Sequence, residues 1–380
     1  MPSGASKNRI LTAVDLFAGA GGFTIAAQQS GIRVLAAVEI DKHACATYKA
    51  NLIVGKENPP VLIEQDINSI QPAYLMKQAN LRVQQCDILM GGPPCQGYST
   101  HRINSTGVGD PRNELLIRYF DFVKALKPKA FVVENVSGLL WPRHADYLKR
   151  FFRLAREAGY DVRDPTLLNA RDYGVPQNRR RVFIIGFRND LKVELAWPPE
   201  RTHFAPASEE VRNGSRPAWI TAGEVFKTDL REDDPNAIHM NHSPELVRVF
   251  ESTPKDGGSR AQSNRTLRCH KDHDGHKDVY GRIDPSKPGP TMTTACVNPS
   301  KGRFLHPTEN HGICVRHAAR FQTFPENFEF EGGLMASAVQ IGNAVPIELG
   351  KAVLAAIAAG VTTAKRRCVG RNRVSGEERI

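Results

Sequence analysis

The sequence has no apolar run long enough to cross a bilayer; the longest near the C-terminus, Val353 to Val361, is short and interleaved with small residues. It also lacks a signal-peptide core, since Met1 to Arg9 is a polar lead-in. These two absences lead to the expectation of an intracellular protein with no membrane partner. Seven cysteines, an odd number at wide spacings, do not make a disulfide framework. They read as reduced thiols, most of them small core hydrophobes, with room for one nucleophile. Low-complexity tracts and internal repeats are missing, as is a Gly-x-Gly-x-x-Gly phosphate loop.

What is present is an ordinary globular composition, 41% hydrophobic and 24% charged, over 380 residues. That length has room for about two or three domains. The net charge of +11 points to a polyanionic partner.

The first half alternates strands and helices. Ala13 to Phe17 reads as a buried strand, followed by a glycine-rich turn and a helix from Phe23 to Ser30. Val34 to Val38 is a second strand closed by Glu39, followed by a helix from Lys42 to Asn51 and a short strand before Asp66. Asp87 to Met90, Ala130 to Val133 and Val182 to Gly186 complete the set, the last bounded by a glycine. Such alternation predicts an α/β fold with a mainly parallel sheet covered on both faces, and ligands at the carboxyl ends of its strands. From about Asn189 to Val279 periodicity dissolves into proline, glycine, histidine and charge, which suits a small, loop-rich domain. Thereafter Thr291 to Ala295 reads as a strand, Val315 to Gln322 and Pro346 to Ala359 as helices, and the tail from Lys365 as frayed.

Four motifs carry chemistry. Asp15 to Phe23 runs from a strand into a turn whose glycines allow close approach and positive φ. A second strand ends at Glu39, where a carboxylate accepts ribose hydroxyls, and Asp66 follows a third, where it can accept from an adenine amino group. With no pyrophosphate loop, an adenosine-containing ligand such as S-adenosylmethionine fits best. The second motif, Gly91-Gly92-Pro93-Pro94-Cys95-Gln96, holds a cysteine on a stiff loop at a strand end. A nucleophilic thiol there needs nearby positive charge. The third places Glu134 at the end of an apolar strand, either as a buried proton donor or as a carboxylate paired with an arginine. The fourth, Gln177 to Arg181, enters a strand with Arg179 and Arg181 on one face and Arg180 on the other. Such a pair suits an anionic oxygen or a base carbonyl.

Taken in order, these motifs resemble the DNA cytosine-5 methyltransferases of bacterial restriction–modification systems, and the resemblance covers most of the chain. It implies a Rossmann-like S-adenosylmethionine-dependent methyltransferase fold with a target recognition domain. It further implies cofactor contacts from Asp15, Phe17, Ala18, Gly19, Gly21, Gly22, Glu39, Ile40, Asp66, Ile67, Pro94 and Leu115. The segment Gln340 to Pro346, with Asn343 and Val345, is similar to the family's last motif, which returns to close that pocket. Ala319 to Pro325 is also similar to bacterial members. In the implied mechanism Cys95 adds to carbon-6 of a flipped-out cytosine and Glu134 serves ring nitrogen 3. Arg181 holds the base carbonyl, and Arg179 lies nearer a backbone phosphate.

By the same resemblance residues 1–188, completed by 301–362, form the catalytic and cofactor domain. Residues 189–300 form the target recognition domain, and 363–380 a flexible basic tail. Candidate contacts to double-stranded DNA are Gln96, Ser99 and Arg112 in the segment after Cys95. In the basic stretch from Lys255 to Lys287 they are Gly257, Arg260, Arg265, Arg268 and Arg282. A cluster from Cys269 to His276 has zinc-ligand residue types, but its single cysteine and interleaved aspartates read as a solvated loop, and no metal is expected. The expected setting is cytoplasmic, at the nucleoid, as a monomer alongside a cognate restriction endonuclease. The alternatives are a tRNA cytosine-5 methyltransferase on the same scaffold, or a catalytically silent DNA-binding relative.

Overall fold

Every residue of the first strand after Thr12 is buried, which is what a strand covered on both faces requires. The computed structural model describes residues 9–93, 114–263 and 278–367. In it β1 (Thr12–Leu16), β2 (Arg33–Glu39), β3 (Val61–Glu64), β4 (Ile88–Gly91) and β5 (Ala130–Val136) are parallel. β6 (Tyr160–Val162) and β7 (Thr166–Asn169) both pair antiparallel with β8 (Arg180–Arg188), which itself runs antiparallel to β5. The order is β3-β2-β1-β4-β5-β8-β6, with β7 also on β8. The winding reverses between β1 and β4, so a crevice opens beyond their carboxyl ends. The glycine turn after β1 and the Gly92-Pro93 segment after β4 leave from paired strand ends, Leu16 opposite Gly91.

The helices are α1 (Gly22–Gln29), α2 (Lys42–Leu52), α3 (Pro72–Gln78), α4 (Glu114–Leu126) and α5 (Ala145–Glu157). Then come α6 (Glu209–Arg212), α7 (Gly223–Lys227), α8 (Pro244–Ser252), α9 (Val315–Phe321), α10 (Gly333–Asn343) and α11 (Ile347–Thr363). Asp41 caps α2 through the amides of His43 and Ala44. One apolar layer beneath the sheet is aromatic, with Phe120, Phe131 and Phe151 in edge-to-face contact. The other layer joins α1, α10 and α11 to Ala222, Val225, Ile283 and Met292, so the later segment shares a core with the sheet. The apolar stretch Gly333–Thr363 has the length and composition of a membrane span. It is divided into α10 and α11 at Ala344–Pro346, and its most apolar window is 61% buried.

Three expectations are corrected. Gly186 does not bound its strand; it lies within β8, where a Cβ would stand 2.3 Å from the ring of Phe131. Thr291 to Ala295 is not a strand. The tail is tied at its start: Lys365–Arg366 (β10) pair antiparallel with Leu191–Lys192 (β9). The remaining tail, 368–380, lies outside the described residues.

Candidate active site

At the end of β1 the chain turns through Phe17 and Gly19, both at positive φ (61° and 56°), before Gly21 at 96° caps α1. The Gly19 amide donates to Glu39 Oε2 at 2.7 Å, while Glu39 Oε1 accepts from the amides of Ile40 and Asp41, each at 2.8 Å. This carboxylate therefore fastens the β1 and β2 ends together and has lone-pair capacity left mainly on Oε2. Ile40 beside it is 65% exposed, an apolar side chain at the rim of the crevice. Asp66 is exposed and accepts from Asn68, whereas Ile67 is buried and its carbonyl accepts from Arg118. Leu115 is half-buried in the first turn of α4.

Asp15 is buried beneath the turn. Its Oδ2 accepts from the Thr24 hydroxyl at 2.8 Å, and Thr24 in turn meets the Tyr48 hydroxyl at 3.0 Å. Its Oδ1 is buried without a hydrogen-bond partner. Burial pushes the Asp15 carboxyl up to about 7. Val345 and Asn343 arrive from the far end of the chain. A Cβ on Gly22 would stand 2.7 Å from the Val345 carbonyl, so a glycine is needed where the C-terminal segment touches α1.

The second half of the site sits on β4, β5 and β8. Glu134 is buried on β5, and Arg181 Nε lies 3.0 Å from its Oε1. Burial raises the Glu134 carboxyl above its usual range, opposed by the charges of Arg181 and Arg179. The carboxylate is thus both buried and paired with an arginine. A Cβ on Gly92 would lie 3.4 Å from Glu134 Oε2, and Asn135 Nδ2 donates to the Pro93 carbonyl. The chain therefore passes Glu134 immediately before Pro94 and Cys95. Pro94, Cys95, Gln96, Ser99 and Arg112 themselves lie outside the described residues, as do Arg265, Arg268 and the whole Cys269–His276 cluster.

Two arginine expectations are corrected. Arg179 does not face a phosphate. Its guanidinium is buried and donates to the carbonyls of Met292 (2.7 Å), Gly342 (2.7 Å) and Ala344 (3.1 Å). Arg282 is likewise fully buried, donating to the carbonyls of Thr253, Phe250, His306 and Glu309 and to Asn310. It organises its segment from within rather than reading DNA. Gly257 at φ 96° packs on Asp284, and Arg260 is half-buried in a short 3-10 turn. Sequence reasoning missed Gln322, whose amide donates to the carbonyls of Ile341 and Ala344 and meets Gln177. The only signal was its place in the Ala319–Pro325 motif. Among the described residues no group of histidines, cysteines and carboxylates is arranged to hold a metal.

A family model for C-5 cytosine-specific DNA methylase matches residues 11–359. The Type II methyltransferase M1.HphI of Haemophilus parahaemolyticus is 33% identical, over 91% of this chain and 86% of its own. The Type II methyltransferase M.XorII of Xanthomonas oryzae is 31% identical, over 90% and 82%. Among solved structures, a protein described as a DNA modification methyltransferase encoded within an Escherichia coli prophage has the same fold. It aligns at TM-score 0.69 and 23% identity, over 92% of this chain and 99% of its own.

Proposed function

This chain belongs to the family of C-5 cytosine-specific DNA methylases, and from that premise we propose that Cys95, Glu134 and Arg181 methylate a flipped-out cytosine beside an S-adenosylmethionine pocket. The enzyme is a DNA cytosine-5 methyltransferase of the Type II restriction–modification kind. The observation that carries the assignment of residues is Glu134, a buried carboxylate with a raised pKa, held by Arg181 and lying beside Gly92 at the end of β4.

The state of the described cysteines is consistent with Cys95 as the nucleophile, the one that the motif order puts in the Pro-Pro-Cys-Gln segment. The four described cysteines are buried, and burial pushes the thiols of Cys45 and Cys296 up to about 12 and that of Cys314 to about 11. Cys86 is shifted the same way. None of these is a thiolate near neutral pH. In the proposed chemistry the Cys95 thiolate adds to carbon-6, and electron density moves to carbon-5. Glu134 holds a proton at ring nitrogen 3 so that negative charge does not accumulate, and Arg181 steadies both the carboxylate and the base carbonyl. Once carbon-5 carries the methyl group its proton passes to solvent, elimination breaks the bond to carbon-6 and frees the thiolate, and Glu134 takes back the proton at ring nitrogen 3. The base must leave the duplex to reach these groups.

The residues around the β1 turn suit the cofactor. Glu39 Oε2 has acceptor capacity for a ribose hydroxyl, exposed Ile40 offers a flat apolar contact for a purine, and the orphaned Asp15 Oδ1 marks a polar floor. Asp66, Ile67, Leu115, Asn343 and Val345 complete the proposed pocket. The cofactor would supply the methyl group as a sulfonium electrophile. Residues 189–300 are assigned target recognition and 1–188 with 301–362 catalysis, with duplex DNA as substrate. Action as a monomer in the cytoplasm, at the nucleoid and beside a cognate endonuclease, is part of the same reading.

The test is transfer of labelled methyl from S-adenosylmethionine to duplex DNA and to tRNA. Label in DNA alone is expected, with a covalent complex on fluorocytosine DNA that Cys95→Ser does not form. Transfer by Cys95→Ser, or label in tRNA alone, would overturn the assignment.

A further inference from the structure

We propose that a cleft at the edge of the sheet, lined by Asn169, Arg171, Asp172, Arg180, Arg201 and Trp219, grips a backbone phosphodiester of the DNA away from the target base. The proposal rests on the DNA methylase reading and adds to it a phosphate contact where β7 and β8 meet the segment that carries Arg201 and Trp219.

The cleft measures about 260 Å³. Its place follows from register. On β7, Asn169 stands opposite Arg180 and Leu168 opposite Arg181. Arg181 turns to Glu134 on one face of β8, so Arg180 at the neighbouring position is directed to the other. The cleft is thus one residue along the same strand from the catalytic ion pair, on the other face of the sheet at its edge.

Its electrostatics are unbalanced. Three guanidinium groups share one carboxylate, and that carboxylate is already engaged, since Trp219 Nε1 donates to Asp172 Oδ1 at 2.9 Å. Arg171 Nε and Arg201 Nε each stand 3.8 Å from an Asp172 oxygen, beyond hydrogen-bond reach. The Arg171 guanidinium carbon lies over the Trp219 ring, 3.7 Å from its centroid, and its Nε is buried with no hydrogen-bond partner. Arg180 is exposed and its guanidinium makes no hydrogen bond or ion pair among the described residues. The exposed guanidinium groups of Arg180 and Arg201 can donate to a phosphate oxygen, the acceptor that meets the excess charge.

The walls are set before any ligand arrives. The amides of Thr202 and His203 donate to the Asp172 carbonyl, and Trp219 and Phe204 are joined through backbone bonds to Phe204 and Pro217. The cation–π contact with Trp219 holds the Arg171 guanidinium in place, so less side-chain freedom is lost on binding. A phosphodiester contact of this kind adds affinity without reading bases.

The experiment compares wild type with Arg180→Gln/Arg201→Gln and with Arg180→Lys/Arg201→Lys. Duplex binding is followed by fluorescence anisotropy across a salt series, alongside steady-state methylation and thermal melting. The glutamine pair is expected to raise KM for DNA roughly 10-fold with kcat unchanged, and to weaken cognate and non-cognate duplexes alike. It should flatten the salt dependence by one to two phosphate contacts, a slope change of about 1 to 2. The lysine pair should recover most of that slope. A glutamine pair with wild-type KM and salt slope would overturn the proposal. So would a fall in Tm without a change of slope, because the arginines would then be structural pins. A wild type that binds no duplex would overturn the DNA reading and this contact together, whereas a wild type that binds, with an indifferent variant, overturns this contact alone.

Discussion

Two arginines separated by one residue meet different fates, and the difference is one of burial. Arg179 enters the interior, where three backbone carbonyls need its donors; Arg181 stays at the crevice against Glu134. Lysine keeps the charge in either place but cannot reproduce the guanidinium fork. Arg179→Lys is expected to lower stability by about 1–3 kcal/mol for each carbonyl left unpaired. It should also weaken adenosylmethionine binding, because Gly342 and Ala344 flank the returning segment. Arg181→Lys is expected to melt close to wild type while slowing methyl transfer about 100-fold. Thermal melts, cofactor calorimetry and single-turnover rates on both variants separate the two roles. Equal losses of stability would remove the distinction.

At the scale of elements, the run Thr291 to Ala295 shows why local pattern was insufficient. Its threonines and methionine fit a strand, yet the Met292 amide donates to the Gln177 side chain and its carbonyl accepts from Arg179. Side chains from β8's approach satisfy groups that a strand neighbour would otherwise pair. The end of α10 then packs directly on this segment. A Cβ on Gly342 would lie 2.3 Å from the Thr294 nitrogen and 2.4 Å from the Thr293 carbonyl carbon. Backbone cannot rotate aside as a side chain can. Gly342→Ala is therefore expected to cost about 1–3 kcal/mol of stability, read by urea unfolding, and to loosen the cofactor pocket. An unchanged midpoint would show that α10 slides freely. The parallel part of the sheet was legible because its strands are continuous apolar runs ending in glycine or a carboxylate. The antiparallel β6–β8 edge was not, since strand direction depends on a partner and leaves no mark in periodicity.

For the whole molecule, buried titratable groups on two sides of the fold give opposite responses to pH. Asp15 has its carboxyl raised to about 7 from 3.8, so the folded form keeps a proton that the unfolded chain loses. Its contribution is fully present below 3.8 and is lost as pH rises through 7, a cost of roughly 4 kcal/mol above that point. His306 and His317 are lowered by burial to about 4 and about 3 from 6.5. They remain neutral when folded, so their contribution is present above 6.5 and is lost as pH falls towards 4 and then 3. Asp15→Asn, which can still accept from Thr24, is expected to raise Tm at pH 8 and leave it unchanged at pH 4. His317→Phe, beside Phe226 at 4.8 Å, should leave Tm near wild type at pH 8 and raise it at pH 5. Melting curves from pH 4 to 8 check both. A Tm for Asp15→Asn that shifts equally at every pH would refute the linkage.

The sequence by itself determined the chemistry-bearing order. It placed the glycine turn and Glu39 at successive strand ends, Cys95 after a rigid Pro-Pro pair, Glu134 on an apolar strand and the arginine motif before another. These are local features, each legible from residue type and neighbours. Only the tertiary structure decided which charged groups face the crevice. Arg179 and Arg282 carry the same side chain as Arg181, but their guanidinium groups are consumed by carbonyls contributed from 24 to 165 residues away. Burial and partner supply are properties of the packed whole, and no spacing within the motif encodes them.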